Sequence, residues 1–481
     1  MKENKMSFIK GFLGFSVSAW INAGLSFFAT PIITRAFLPD ELGKINLFVS
    51  LVNMFLYFSY LGIDQAFTRF YHEPLGKNDK KSMLTVCLTL SSVIFVFVAM
   101  GILICYKAVS SSIIGYVGFV VPVSVIVSII SQMIIRYFNL AARMEKNIVL
   151  FNIQAIASTV ISNISYVAVA LVSATAENAI IFRTGLNFIL AVILFVLAIK
   201  TSLSLKADFS KNVVKDILVY ALPICPAALL ATVNNSLGQL LLKNFVDYSA
   251  IGIYSNAVTI AAILTIIQSG FNSYWGPFVY ENYKTQQKRI IKVHHIMSFA
   301  IIIFALLIIF CQDLIYIILV GEKFWASKQL FPLLIISPVC YTIAETLGMG
   351  IRLEKKTYLN IPVAAINVFV NIFLCFILLP KIGVIGAAVA SAISSICMLI
   401  VRSYWGEKRY RCSDNYFKLI VALATLVITA VIHVFVYDLW VKYIVYFLAV
   451  ITVCFAYMPQ IRMIISFGKS IFRKLTKEKG V

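Results

Sequence analysis

Apolar stretches of about 20 residues recur along the whole chain, each long enough to cross a hydrocarbon core of about 30 Å as a helix. Six fall near 11–34, 45–63, 83–106, 113–137, 149–172 and 178–199, six more near 217–242, 252–273, 296–319, 329–351, 358–379 and 383–402, and two near 417–437 and 441–461. Short charged breaks separate them. The pattern predicts an all-α polytopic membrane protein of fourteen crossings, six plus six plus two. Two of the breaks look like copies: Arg143-Met144-Glu145-Lys146 and Arg352-Leu353-Glu354-Lys355 lie 209 residues apart. Gly43 and Gly252 are spaced by the same 209, and His72-Glu73 and Tyr280-Glu281 by 208. Three matches in order at nearly one offset predict duplication of a unit of about 200 residues. Six crossings separate the copies, so the repeats are expected to be parallel, related by an axis along the membrane normal. The expected organisation is a six-helix lobe over 1–205, a second over 206–412, and two extra helices with a basic tail over 413–481.

Composition removes the soluble classes: 61% of residues are hydrophobic, only 13% are charged, and the mean hydropathy is +0.93. The net charge of +21 would suit nucleic acid if it were gathered on one surface. Instead 32 of the 41 Lys and Arg fall in breaks on the side of the N-terminus and 8 on the other side, with Arg183 inside a helix. That bias predicts both termini in the cytoplasm. It also assigns the basic excess to topology and anionic lipid contact, with no nucleic acid partner. Lys2, Lys5 and Lys10 ahead of the first apolar run resemble a signal sequence. The run is too long for that role, and a retained first helix with no flanking soluble domain is expected. Nine cysteines, mostly inside apolar runs and without a C-x-x-C, read as small core residues. No metal-ligand spacing appears, and no metal, cofactor or catalytic group is expected.

Polar side chains inside a bilayer are costly, about 2.5 to 3.5 kcal/mol for a charge at a helix centre on insertion scales, so they usually face the bundle interior. Arg183 and Asn187 stand at i, i+4 and would present a guanidinium and an amide to an anion, unless Arg183 snorkels to the nearby interface. In the seventh run Asn235 and Gln239 share a face and make the best amide-lined wall for hydroxyl-rich cargo, with Asn234 a further candidate for the lumen. Pro223 and Pro226 in its first turns either kink or unwind the helix or are simply prolines tolerated near a helix start. Arg35 and Lys243 sit at the outer ends of the first and seventh runs. Among acids, Glu345 in the tenth run would bind a proton or Na⁺ or else pair with a basic group. Asp64 ends the second run, where a local ion pair competes with coupling as its role. Asn367 and Asn371, and the Gly386, Ala390, Ser394 stripe, suit helix–helix contact.

The hairpin after the first run reads Pro31-Ile32-Ile33-Thr34-Arg35-Ala36-Phe37-Leu38-Pro39-Asp40-Glu41-Leu42-Gly43, and the second run closes on Leu61-Gly62-Ile63-Asp64 and Arg69-Phe70-Tyr71. With Gly321-Glu322-Lys323-Phe324 before the tenth run, this resembles the Wzx-type polysaccharide or O-antigen repeat-unit flippases, a branch of the multidrug, oligosaccharidyl-lipid and polysaccharide exporter superfamily. The resemblance covers about the first 410 residues, and the first 75 carry its specific part. It implies two six-helix lobes around a central cavity in the bacterial cytoplasmic membrane. Alternating access would carry undecaprenyl diphosphate-linked oligosaccharide to the outer leaflet, in a monomer working beside other polysaccharide assembly proteins. The family's cationic cavity would fall here to Arg183, helped by Arg35 and Lys243 at the outer mouth. The alternative is an ion-coupled antiporter of small amphiphiles on the same fold. A glycan polymerase ranks last, because the loops are too short to carry a catalytic cluster.

Overall fold

The computed structural model describes residues 2–463 and 466, apart from 202, 205, 224 and 355. Among the described residues there are helices and connections but no strand, as expected where lipid offers the backbone no hydrogen-bond partner. In chain order the α-helices are α1 (Lys2–Ala36), α2 (Pro39–Tyr60), α3 (Ile63–Phe70), α4 (Lys80–Ile104), α5 (Tyr106–Ile114), α6 (Val120–Met144), α7 (Ile148–Val172), α8 (Ala176–Thr201), α9 (Lys211–Ala221), α10 (Cys225–Phe245) and α11 (Tyr248–Ala261). Then follow α12 (Ile263–Asn282), α13 (Gln287–Phe310), α14 (Gln312–Leu319), α15 (Ser327–Leu334), α16 (Ile336–Leu347), α17 (Met349–Leu353), α18 (Asn360–Ile382), α19 (Val384–Glu407), α20 (Tyr416–Phe435) and α21 (Leu439–Ala456). Two compact units divide the chain, one of residues 1–256, 317–325 and 379–384, the other of 257–316, 326–378 and 385–481.

Twelve helical spans among the described residues are long and apolar enough to cross a membrane, where the sequence predicted fourteen. The first and seventh predicted crossings, in α1 and α10, include side chains outside the described ones and are not among these twelve; Asn234, Asn235, Gln239 and Lys243 also lower the hydropathy of α10. The seventh apolar run is broken, the first of the two readings of its prolines, with α9 ending at Ala221 and α10 beginning at Cys225 around Pro223, which lacks an N–H and so removes a helical hydrogen bond. By contrast α1 carries Pro31 without interruption.

In the first unit the Pro39-Asp40-Glu41 turn opens α2 with proline in the first turn and two acids at the positive end of the helix dipole. Lys44 Nζ lies 2.6 Å from Asp40 and 2.8 Å from Glu41. Glu41 also accepts the Ala176 backbone N–H, so one carboxylate caps the start of α8.

Gly43 shows why this hairpin needs a glycine. A Cβ there would lie 1.9 Å from the Tyr248 carbonyl oxygen, and one on Gly252 would lie 2.0 Å from that of Pro39. Pro39 and Tyr248 are themselves 209 apart. The contact is therefore reciprocal, as in an isologous interface between two copies. A second pair of contacts follows the same relation more loosely. Lys243 Nζ donates to the Ser111 carbonyl at 3.0 Å, while Arg35 donates to the Ile318 carbonyl at 3.3 Å and Thr34 Oγ1 accepts the Gly321 N–H at 2.9 Å. The loop after α8 is pinned to the loop before α4: Asp208 N–H donates to Asn78 Oδ1 at 2.8 Å and Asn78 Nδ2 to the Asp208 carbonyl at 3.0 Å.

The second unit closes over an ion triad. Glu345, buried on α16, accepts from Arg352 and Arg402, each at 2.5 Å. Close backbone approach packs the helices around it, since a Cβ on Gly350 would meet the Gly406 carbonyl oxygen at 2.1 Å. Nearby, His295 Nε2 contacts Asp414 Oδ1 at 2.5 Å, and that hydrogen bond holds the Asp414 carboxyl below the usual carboxylate range. Gly386, Ala390 and Ser394 are buried, Gly386 against the Leu378 backbone of α18.

Candidate functional site

A cavity of about 380 Å³ lies within the first unit, walled by four helices. Each contributes polar positions on one helical face. From α2 come Asn53, Tyr57 and Tyr60, and from α6 Gln132, Arg136 and Asn139, both at i, i+4, i+7. Gln154, Ser158 and Ser162 come from α7 at spacing four, with Arg183 and Asn187 from α8. An otherwise apolar unit thus gathers two guanidiniums, five amides, hydroxyls and phenols around one space.

The two arginines are held differently. Arg136 donates to Asp64 Oδ2 at 2.9 Å; the carboxylate is buried, whereas the Arg136 side chain is 44% exposed toward the cavity. Arg183 donates to the Tyr166 hydroxyl and lies 5.5 Å from that ring's centroid. No carboxylate pairs with Arg183 among the described residues. Asn187 Nδ2 is turned to its own helix, donating to the Arg183 carbonyl at 2.9 Å. Two lining residues each carry a buried polar atom, Tyr60 OH and Gln154 Oε1, with no hydrogen-bond partner among the described residues. Orphaned groups of this kind are uncommon in folded interiors and mark places where water or ligand completes the site. Chemically the cavity offers guanidinium donors on a wall of amides and hydroxyls.

The model of a family described as polysaccharide biosynthesis protein matches residues 8–278, more than half of the chain. The chain belongs to the polysaccharide biosynthesis protein family. Its matched region contains the whole cavity. The chain is 21% identical over 212 residues to the capsular polysaccharide biosynthesis protein CapF of Staphylococcus aureus, a match spanning 43% of this chain and 54% of that relative. Two solved structures share the fold. A lipid II flippase MurJ in an inward closed conformation superposes with a TM-score of 0.70 at 14% identity, over 93% of this chain and 99% of its own. An inward-facing MATE family multidrug resistance transporter gives 0.57 at 16% identity, over 80% and 94%. The two-lobe fold expected from the repeat is the fold of these flippases and transporters. This member of the polysaccharide biosynthesis protein family is thus an all-helical polytopic membrane protein with the fold of those two structures.

Of the side chains singled out in the sequence of this family member, Arg183 and Asn187 line the cavity, and the guanidinium faces Tyr166 and the polar space. Asp64 stands just behind its wall through Arg136. Its partner is thus 72 residues away, while Arg69 pairs with Glu73 at 2.8 Å. Gln239 bridges helices instead, accepting from Ser50 Oγ and donating to Ser255 Oγ at 3.0 Å. Arg35 and Lys243 are engaged with backbone carbonyls away from the cavity. Asn234 lies on α10, and the side chain of Asn235 is outside the described ones. Glu345 takes the ion-pairing role, between two arginines.

Arg136, with Gln132 and Asn139, is what sequence reasoning missed. Counting Arg136 among the charges of the following break hid it, although the Gln132, Arg136, Asn139 spacing continues the helical period of α6.

Proposed function

We propose that this protein is a flippase moving undecaprenyl diphosphate-linked oligosaccharide repeat units from the inner to the outer leaflet of a bacterial cytoplasmic membrane. Both termini would be cytoplasmic, and lobes 1–205 and 206–412 would alternate access around the cargo, with 413–481 as an added helix pair. The observation that carries this reading is the cavity of the first unit, where no carboxylate among the described residues pairs with Arg183 and the Arg136 side chain is 44% exposed. Guanidinium forks match phosphate oxygens bidentately, and the surrounding amides and hydroxyls suit sugar. An inside-negative potential favours outward movement of an anion by about 2.3 kcal/mol per charge per 100 mV, so no coupling acid is required.

The fold likeness to MATE transporters keeps an ion-coupled antiporter as the second reading. Against it stands the commitment of both embedded acids: Glu345 to two arginines and Asp64 to Arg136. The test is surface glycan in a strain lacking the native gene and carrying variants at matched membrane abundance. Arg183→Ala and Arg136→Ala are expected to abolish surface glycan while the protein still inserts. Full surface glycan with both would remove the anion role, and loss with Glu345→Gln alone, at unchanged abundance, would favour the antiporter.

A further inference from the structure

Arg136 is claimed from within. Asp64 is 4% exposed and sits beside the cavity without lining it, and its Oδ2 accepts from both Arg136 and the Gln65 amide at 2.9 Å each. It occupies one edge of a guanidinium whose remainder faces the cavity. A carboxylate in that place has the charge and acceptor geometry of one phosphate group of a bound cargo.

What Asp64 is attached to gives the pairing a consequence. It is the second residue of α3, which leaves α2 through a corner in which Leu61 (φ 44°) and Gly62 (φ 81°) are both left-handed. Only glycine takes that conformation freely. The corner is also pressed on α9: a Cβ on Gly62 would lie 2.7 Å from the Ala221 carbonyl oxygen. Further along, the Phe70 ring meets that of Tyr220 edge-on at 5.5 Å. Ala221 is the last residue of α9, immediately before the break at Pro223. A continuous set of contacts therefore runs from the cavity, through Arg136 and Asp64, to the broken seventh helix.

We propose that Asp64 is a built-in counter-anion that cargo must displace from Arg136, and that its release frees the α2–α3 corner against the α9–α10 break. This rests on the reading of the cavity as a diphosphate site. A diphosphate brings more charge and more acceptor oxygens to the guanidinium than one carboxylate oxygen does, and so wins the exchange. Asp64 is then a buried charge without its partner, a costly state that is relieved when α3 shifts toward water. An empty cavity keeps the corner latched, and an occupied one unlatches it.

The test uses the purified full chain in detergent, with farnesyl diphosphate as the probe and farnesol as the control lacking phosphates. Wild type binds the diphosphate, and Arg136→Ala weakens binding about tenfold. Asp64→Asn, which removes the competitor and keeps the side chain's size, tightens binding about tenfold, or about 1.4 kcal/mol. Hydrogen exchange on the unmodified protein shows amides of residues 61–70 exchanging faster with farnesyl diphosphate than with farnesol. Weakened binding in Arg136→Ala without a gain in Asp64→Asn overturns the counter-anion and leaves the anion site standing. Equal binding by wild type, Arg136→Ala and Arg183→Ala overturns the underlying site instead. Unchanged exchange at 61–70 overturns the release of the corner, and that measurement decides the matter even if Asp64→Asn does not fold.

Discussion

At the residue scale the proposed function separates charges that would bind from charges that build. Arg183 has a phenol for a partner and a polar space before it, and in the proposed function its fork meets phosphate. Arg183→Lys keeps the charge but loses the fork, and should retain part of the surface glycan that Arg183→Ala abolishes. A snorkelling arginine would accept Lys or Gln alike. Glu345 belongs to the other class. Removing one partner of a buried ion pair costs about 3 to 5 kcal/mol because the remaining charge is stranded. Glu345→Gln should therefore lower the thermal midpoint of the detergent-solubilised protein and its membrane abundance together. A stable, abundant variant that fails only in transport would return Glu345 to a coupling role. The i, i+4 spacing made Arg183 and Asn187 legible in the sequence. The triad was only half legible, because Arg402 is 57 residues from Glu345 and only packing brings them together.

Among elements, the glycine crossing of α2 with α11 and the pinned loop after α8 are the parts most open to test. At Gly43 the obstacle to a side chain is backbone, which cannot rotate away, so Gly43→Ala should cost on the order of 1 to 3 kcal/mol of stability. Gly24, which has nothing near an added Cβ, should tolerate the same change; equal thermal midpoints for the two variants would refute the close crossing.

The Asp208 carboxyl is held below its ordinary range by the backbone N–H of Ser210 first, then of Lys77. A lowered folded pKa means that its contribution is complete above the unfolded value, about 3.9, and fades as pH falls through the folded one. Protease nicking of the loop at 203–210 should accordingly be constant from pH 5 to 8. Asn78→Ala should increase nicking at every pH in that range, and no increase would show that the reciprocal amide pair does not anchor the loop. Proline chemistry offered the break at Pro223 as one of two readings of the sequence. It did not reveal that the break abuts Gly62, a contact between segments about 160 residues apart.

At the scale of the whole molecule, the 209-residue offset carried the most information. It named Gly43 and Gly252 as equivalents, and the structure places each against the residue equivalent to the other's partner. Twelve of the fourteen predicted crossings are found among the described residues, and the other two, in α1 and α10, include side chains outside them. The charge bias still predicts topology. Alkaline phosphatase fused at Lys107, Ser173, Lys323 and Lys442 should be active, and at Lys77, Lys206, Lys288 and Arg409 silent. Activity at two or more of the second group would overturn the proposed orientation.

The central claim is that an anionic lipid-linked glycan is the cargo and that the cavity of the first unit receives it. Its most direct measurement is transbilayer movement in proteoliposomes of a fluorescent, diphosphate-linked lipid oligosaccharide, followed by a membrane-impermeant quencher. Wild type should move the lipid between leaflets, faster with the potential negative on the donor side, and Arg183→Ala should leave it where it started. Movement unaffected by Arg183→Ala, or a wild type that moves only a cationic dye against an imposed Na⁺ or proton gradient, would contradict the account.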